Sequence, residues 1–243
     1  MIYSPAPLLK LILSILPEAP VSARDPRYVP DERVIDALYW QAKTNCPWRF
    51  LPPWFPSKST VFERRARWIS AGVFDTLMML TLVDCPELGL IDATFIECKA
   101  PLAERGWTKI GNGIKVQALC DGNGRLSSVI IDSAGPGEAN MARRFECLPS
   151  ILIGDSAYDT LALREHAREL DCELVTTNNW PGRKQSLDER EVRAAAKRER
   201  WPIERTFGWL KSFRAVGTCY ARSVETYLVS FSLATANYNL RSA

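Results

Sequence analysis

The sequence predicts an α/β protein that has a mixed β-sheet core flanked by helices and a helical N-terminal region in front of it. Residues 1–87 have the apolar spacing of helices, residues 88–176 alternate between strand and helix patterns, and the pattern after residue 176 is helical again. A hairpin followed by strands that alternate with helices is typical of a mixed sheet. We therefore expect two regions, residues 1–87 and residues 88–243.

The composition is that of a folded globular chain. Of the 243 residues, 47% are hydrophobic and 24% are charged, which excludes a disordered tail and a disulfide miniprotein. The most apolar N-terminal run, residues 8–16, is interrupted by Lys10 and is too short to cross a bilayer. The seven cysteines include no Cys-x-x-Cys pair, which favours reduced thiols in the cytoplasm and argues against structural zinc.

The charge is unevenly distributed along a chain whose net charge is only +3. Residues 24–72 contain nine Lys and Arg against five Asp and Glu, and residues 181–222 contain eleven against five. Two basic regions are what a protein that binds a polyanion such as nucleic acid would show. Solvated helix faces would give the same pattern, so charge alone leaves both interpretations open.

The first strong helix signal follows Asp31. Apolar residues recur there with a period of 3.6, which predicts a helix that runs to about Cys46 and is stopped by Pro47. A loop rich in proline and tryptophan, residues 47–56, follows this helix.

A second, basic helix is predicted after that loop. Thr60 and Glu63 have the spacing of a capping box, which opens a helix that ends near Gly72. It carries Arg64, Arg65 and Arg67. The two helices could form a helix-turn-helix that binds DNA, and two packed helices with a solvated arginine face fit the pattern equally well.

Five strands and four helices are predicted in the rest of the chain. The strands cover residues 88–95, 114–120, 125–132, 151–155 and 172–176. The segment Asp121-Gly-Asn-Gly predicts a hairpin between the second and third strands. The helices cover residues 138–147, 158–170, 186–210, with a bend at Pro202, and 223–240.

Three carboxylates are candidates for a metal-binding catalytic site. Asp92 and Asp155 end apolar strand patterns, and Glu204 lies on the late helix, two turns before Lys211 on the same face. Together they could hold two divalent cations through oxygen ligands, which suits Mg²⁺ or Mn²⁺ and the in-line transfer of a phosphoryl group. Turn caps at the two aspartates and a surface glutamate are the structural alternative. The single histidine, His166, excludes a histidine-rich zinc centre.

Five segments, in this order, match a known pattern. They are Cys46-Pro-Trp-Arg-Phe-Leu-Pro52, Ser57-Lys-Ser-Thr-Val-Phe62 with the arginines after it, Ile91-Asp92-Ala-Thr94, Gly154-Asp155-Ser-Ala-Tyr158-Asp159, and Arg200-x-x-x-Glu204 followed by Lys211. The sequence resembles the DDE transposases of bacterial insertion sequences, most closely the insertion sequence 5 family within the broader insertion sequence 4 group. Lys197 stands where that group has a tyrosine.

The resemblance implies a ribonuclease H-like core that cleaves DNA and transfers strands at the ends of a transposon. It implies that Asp92, Asp155 and Glu204 are the catalytic metal ligands, with Mg²⁺ as cofactor and Mn²⁺ as a substitute. The residues expected to contact DNA are Arg64, Arg65, Arg67, Arg200 and Lys211. We expect double-stranded terminal inverted repeats and target DNA as partners and a homodimer on DNA. The alternatives are a nuclease of the same core without strand transfer and a catalytically silent, transposase-derived DNA-binding protein.

Overall fold

A computed structural model describes residues 3–18, 28–100, 106–109, 111–176 and 200–241 of the chain. Its N-terminal part consists of helices. They are α1 (Ala6–Ile15), α2 (Asp31–Thr44), α3 (Lys58–Ser70) and α4 (Val73–Thr81). α2 is capped by Asn45, which has a left-handed φ of 51° and whose N–H donates to the carbonyl of Gln41. The predicted end near Cys46 is therefore confirmed to within two residues.

The start of α3 differs from the prediction. Ser57 is the N-cap, and its Oγ accepts a hydrogen bond of 3.2 Å from the N–H of Thr60. Thr60 is therefore the third residue of the helix, and the predicted capping box of Thr60 and Glu63 is wrong. A serine that can satisfy a free N–H three residues later starts the helix earlier than the threonine would.

The sheet has seven strands in the described residues. They are β1 (Leu88–Cys98), β2 (Gly106–Thr108), β3 (Gly111–Asp121), β4 (Leu126–Ser133), β5 (Ile151–Gly154), β6 (Glu173–Thr176) and β7 (Thr218–Cys219). Their order is β2-β3-β1-β5-β6, with β4 also paired to β3 and β7 to β1. β3 is antiparallel to β1, β2 and β4, whereas β5 and β7 run parallel to β1. The predicted mixed sheet and hairpin are confirmed.

The remaining α-helices of the described residues are α5 (Glu138–Ala142), α6 (Leu161–Glu169), α7 (Trp201–Lys211), α8 (Arg214–Gly217) and α9 (Val224–Asn239). α5 is half as long as predicted, because the chain leaves the helix and buries Phe145 and Leu148. Pro202 lies in the first turn of α7, where its missing N–H costs no hydrogen bond. The predicted bend at Pro202 and residues 186–199 of the predicted long helix depend on residues that lie outside the described ones.

Apolar side chains alternate along the central strands and build one cluster on each face of the sheet. Leu90 and Ile96 of β1 face a large cluster that includes residues of α1, α2, α3, α4, α7 and α9. Ile91 faces a smaller cluster with α5 and α6. The N-terminal helices and the C-terminal helices thus share one core cluster. No described helix has the length and hydropathy to span a membrane.

One buried amide joins three elements of this core. Asn239, at the end of α9, donates from Nδ2 to the carbonyls of Thr81, at 2.8 Å, and Leu126, at 2.9 Å. Its Oδ1 accepts from the N–H of Leu126 at 3.0 Å. Because all these groups are buried and satisfied, Asn239 fixes α9 to the end of α4 and to the start of β4.

Candidate active site

The candidate site lies where the outer edge of β1 loses its partner strand. β5 pairs with residues 88–90 of β1, and β7 pairs only with Glu97 and Cys98. Asp92 lies in the gap between them, and Asp155 directly follows β5. Since Leu90 pairs with Ile153 in parallel register, two further residues along each strand bring Asp92 and Asp155 side by side. This gap at the carboxyl end of a parallel strand is a typical position for a binding site.

The local backbone fixes both aspartates. The Oδ1 atom of Asp92 accepts a 2.8 Å bond from the N–H of Ala93, and Oδ1 of Asp155 accepts a 2.8 Å bond from the N–H of Ala157. A Cβ at Gly154 would lie 2.9 Å from the Tyr158 ring and 3.0 Å from the Ile91 side chain. A glycine is therefore required just before Asp155, so that its strand can approach β1.

Glu138 is a third carboxylate at the same place, and the sequence interpretation missed it. Oxygen atoms of Asp92, Glu138 and Asp155 all lie within 4.8 Å of one another. Glu138 is the first residue of α5, which was predicted only as a short helix. The sole sequence signal is an acidic residue at a helix start, which is common. Only the pairing of the hairpin strands with β1 shows that this helix start faces Asp92.

A buried glutamine links the supports of these carboxylates. Gln117 of β3 is fully buried, and its Nε2 donates to the carbonyl of Glu138 at 2.9 Å and to the hydroxyl of Tyr158 at 3.0 Å. Tyr158 belongs to the short turn that begins at Asp155. Gln117 thus fixes the start of α5 relative to the turn after β5.

The electrostatics of the cluster favour a bound cation. Burial raises the pKa of Asp92, and the charges of Asp155 and Glu204 add to the rise, while the N–H of Ala93 and the Arg200 guanidinium oppose it. Burial likewise raises the pKa of Glu138. Repelling carboxylates in a partly buried site are stabilised when a cation lies between them.

Arg200 supplies part of that positive charge. Its Nη2 lies 3.2 Å from Oδ2 of Asp92, and its Nη1 lies 4.0 Å from Oδ2 of Asp155. The prediction assigned Arg200 to DNA contact, and the structure places its guanidinium within ion-pair distance of both aspartates. Arg200 therefore touches the candidate site itself.

α7 brings Glu204 and Lys211 to the same side. Glu204 is exposed, and its carboxylate is not among the three described carboxylates within 4.8 Å of one another. Its charge nevertheless contributes to the raised pKa of Asp92. Burial lowers the pKa of Lys211, and the charge of Asp92 opposes this effect. Both residues therefore lie within electrostatic range of Asp92, as expected for one face of a helix.

The hairpin turn holds α7 in place. Thr206 of α7 has its Oγ1 2.7 Å from the carbonyl of Gly124, and Arg205 donates to the carbonyl of Asn123 at 2.6 Å. Gly124 has a φ of +89°, and a Cβ there would lie 2.6 Å from Oγ1 of Thr206. The glycine that allows the turn also allows α7 to pack against it.

Arg64 requires a correction as a DNA contact. Its side chain is buried, it forms an ion pair with Asp31, and its Nη1 donates to the hydroxyl of Tyr28 at 2.6 Å. Val61 and Trp68 are the other buried residues of α3, and the spacing 61, 64, 68 is that of one helix face. Arg64 therefore joins α3 to α2, and its guanidinium is not available to a phosphate.

Arg65 and Arg67 lie on other sides of α3. The guanidinium of Arg65 lies 4.6 Å from the ring centroid of Phe62 and 5.5 Å from that of Trp48. Arg67 is half-buried. In the part of the chain that the structure describes, neither arginine pairs with a carboxylate. Both remain candidates for contact with DNA.

Two family models match the sequence. The model described as "Putative transposase of IS4/5 family" matches residues 8–78, and the model described as "Transposase DDE domain" matches residues 84–240. The chain belongs to the DDE transposase family. The resemblance to insertion-sequence transposases is thereby confirmed, and the transposase carries its acidic cluster within the matched DDE domain.

A solved structure agrees with this fold. The transposase is similar to the piggyBac transposase in a cryo-EM structure of its synaptic complex with hairpin DNA, with a TM-score of 0.54 and 11% sequence identity. The similarity covers 99% of this chain and 76% of the piggyBac chain. It confirms the ribonuclease H-like core. No curated protein sequence matches the chain.

Proposed function

We propose that this transposase cleaves DNA and transfers strands at terminal inverted repeats, with divalent cations held by Asp92, Asp155 and Glu204 and with Glu138 beside them. The observation that carries the proposal is the meeting of Asp92, Glu138 and Asp155 at the gap in the edge of β1, with Glu204 within electrostatic range of Asp92. The first three carboxylates come from three separate elements, a convergence that neighbouring turn caps would not produce.

The donor atoms fit a hard cation. The cluster offers carboxylate oxygens and neither a thiol nor an imidazole, which suits Mg²⁺, with Mn²⁺ as a substitute. When bound, such ions activate the attacking oxygen and stabilise the leaving oxygen of a phosphodiester. Backbone N–H groups hold Oδ1 of Asp92 and of Asp155, and the Oδ2 atoms, which now face Arg200, would be the oxygens that bind the cation.

Two cationic side chains lie near the acidic cluster. Arg200 lies over the aspartates, and Lys211 lies within electrostatic range of Asp92. We propose that both contact phosphates next to the cleaved bond, where they would balance the charge of the DNA backbone. Arg200 would then exchange its ion pair with Asp92 for a phosphate when DNA and the cation are bound.

The N-terminal region, residues 1–87, is proposed to recognise the terminal repeats through Arg65 and Arg67 on α3. The piggyBac transposase was solved with hairpin DNA, which supports double-stranded DNA as the partner of this chain. Joining two transposon ends favours a homodimer on DNA. All seven cysteines are free thiols, which supports a cytoplasmic location, with the protein on the nucleoid when it is bound to DNA.

One assay tests the function. The full chain is incubated with Mg²⁺ and end-labelled DNA that carries the terminal repeat of the element, and the bound, nicked and joined products are separated. We expect nicks at the repeat end and joined products with target DNA. Nicks without joining would indicate a nuclease, and binding without nicks would indicate a silent DNA-binding protein.

A further inference from the structure

A cavity of about 780 Å³ lies between the N-terminal helices and the C-terminal helix, away from the acidic cluster. Its walls come from α2, from the loop after it, from α3, and from the segment that joins β7 to α9. A volume of this size lies in the range of small-molecule and cofactor sites. The proposed catalytic residues do not line it.

The lining combines positive charge with aromatic rings. Lys58, Arg65 and Arg222 contribute three cations, and no aspartate or glutamate among the described residues lines the cavity. Trp48 and Tyr220 offer ring surface, and Tyr220 is 60% exposed at the rim. Cations and aromatic rings without a carboxylate suit a ligand that is both anionic and aromatic.

Arg65 is the cation of the lining that lacks a partner. Its Nε is buried and finds no hydrogen-bond acceptor among the described residues, and the contacts of its guanidinium are with the rings of Phe62 and Trp48. A buried N–H donor without a partner is costly, and native proteins rarely leave one unused. A phosphate oxygen is an acceptor of the right charge.

From this lining we infer that the cavity binds an unpaired nucleotide of the DNA, with its base against Trp48 and Tyr220 and its phosphate near Arg65. The inference rests on the proposed function, because DNA has to be bound for a strand to reach the cavity. The polar side chains of Gln41, Asn45 and Thr226 line the same space and offer hydrogen bonds to a base edge.

The distance to the acidic cluster fits one continuous DNA segment. Tyr220 follows Cys219, which pairs with Cys98 at the far end of β1. Asp92 and Cys98 are six residues apart on this strand, or roughly 20 Å at a strand rise of about 3.3 Å per residue. This span corresponds to about six base pairs of duplex DNA. A DNA segment cut at Asp92 could thus reach the cavity with a nucleotide about six positions from the cut.

The experiment compares DNA ends that differ only in their bases. Fluorescence anisotropy, with Ca²⁺ in place of Mg²⁺, measures the affinity of the full chain for a duplex with a short thymidine overhang. The same overhang built from abasic sites keeps all phosphates and removes the bases. We expect the wild type to bind the thymidine overhang about tenfold more tightly, because stacking of a base on an aromatic side chain strengthens binding by about this factor or more.

The variants assign that preference to the cavity. Tyr220→Leu, alone and with Trp48→Leu, should reduce the preference for thymidine, and Arg65→Gln should weaken binding of both overhangs. Arg168→Ala is the matched control, because it removes one exposed positive charge on α6, outside the cavity. It should leave the preference unchanged. Circular dichroism establishes that each variant is folded, and Tyr220→Leu keeps the test decisive if the double variant does not fold.

Three results would overturn the inference. The first is equal affinity of the wild type for the thymidine and the abasic overhang. The second is a preference for the thymidine overhang that remains in folded Tyr220→Leu and in the folded double variant, and the third is displacement of the overhang by equimolar thymidine monophosphate. The last would assign the cavity to free nucleotides. If the wild type cleaves DNA normally but binds both overhangs equally, only the inference about the cavity is refuted. If the wild type does not bind duplex DNA at all, the proposed function and this inference are refuted together.

Discussion

The edge of β1 and helix α3 both carry several charged side chains, which the fold brings together at β1 and separates on α3. At β1, the carboxylates of Asp92, Glu138 and Asp155 come from distant parts of the sequence and end within 4.8 Å of one another. On α3, Arg64 and Arg65 are adjacent in sequence and end in different surroundings, one buried against Asp31 and one against aromatic rings at a cavity.

The difference follows from the geometry of the two elements. Parallel strands in register place corresponding residues side by side, so Asp92 within β1 and Asp155 just after β5 converge. A helix turns by about 100° per residue, so adjacent charges diverge and one of them can fall on the buried face. Charge runs on a helix therefore have to be divided by face before any of them is assigned to DNA.

The largest expected effect tests the convergence at β1. Asp92→Asn and Asp155→Asn should each lower the cleavage rate by about a thousandfold, because each removes one charged ligand of the catalytic cations and little volume. DNA binding measured by gel shift should remain close to that of the wild type. Asp132→Asn is the control, since Asp132 also lies on a strand of the sheet but pairs with Arg144. Near-normal cleavage by either variant would remove that aspartate from the site.

The fold was largely predictable from the sequence because the strands carry strong apolar patterns and the turn Asp121-Gly-Asn-Gly specifies a hairpin. β2 and β7 were not predicted, since strands of two or three residues give no pattern. Asp155 was predictable as a costly charge at a strand end, and Asp92 as a costly charge in an apolar strand, although β1 continues past Asp92 to Cys98. Glu138 was not, because its position depends on which strands pair. Arg64 was assigned to DNA although the spacing of Val61, Arg64 and Trp68 already marked a buried face.

The next prediction separates the two glutamates near Asp92. Glu204→Gln should lower cleavage about as much as Asp92→Asn, if Glu204 is the third ligand as proposed. Glu138→Gln should lower it by about tenfold to a hundredfold, the usual effect of a group that supports metal ligands. Single-turnover rates at saturating Mg²⁺ measure both. The reverse order of effects would make Glu138 the ligand and Glu204 the supporting residue.

A pair of substitutions on α3 sharpens the contrast between buried and available arginines. Arg64→Met should lower the free energy of unfolding by about 2 kcal/mol, because it leaves Asp31 without its buried partner. Below its melting temperature it should bind DNA like the wild type. Arg67→Met should show the opposite behaviour, with normal stability and weaker DNA binding. Urea denaturation and anisotropy on terminal-repeat DNA measure the two properties. Equal effects of the two variants on stability and on DNA binding would contradict the distinction between a buried Arg64 and an available Arg67.

The smallest expected effect concerns pH. Burial raises the pKa of Asp92 above its ordinary value of 3.8, so ionisation of this carboxyl disfavours the folded state. The neutral carboxyl contributes fully to the stability of the folded state below pH 3.8, and this contribution is lost as the pH rises through the raised pKa. With a chelator present, Asp92→Asn should therefore melt slightly above the wild type at pH 7 and together with it near pH 3.5. A variant that melts lower at pH 7 would contradict this sign.

The most direct test of the acidic cluster as the metal centre is metal rescue of Asp155→Cys. A thiolate is a soft ligand that suits Mg²⁺ poorly and that Mn²⁺ tolerates better. The cleavage rate of terminal-repeat DNA is measured for the wild type and the variant in each metal. The account predicts that the variant is inactive with Mg²⁺ and regains part of the wild-type rate with Mn²⁺. A variant that cleaves with Mg²⁺ as fast as the wild type would contradict a metal ligand at this position.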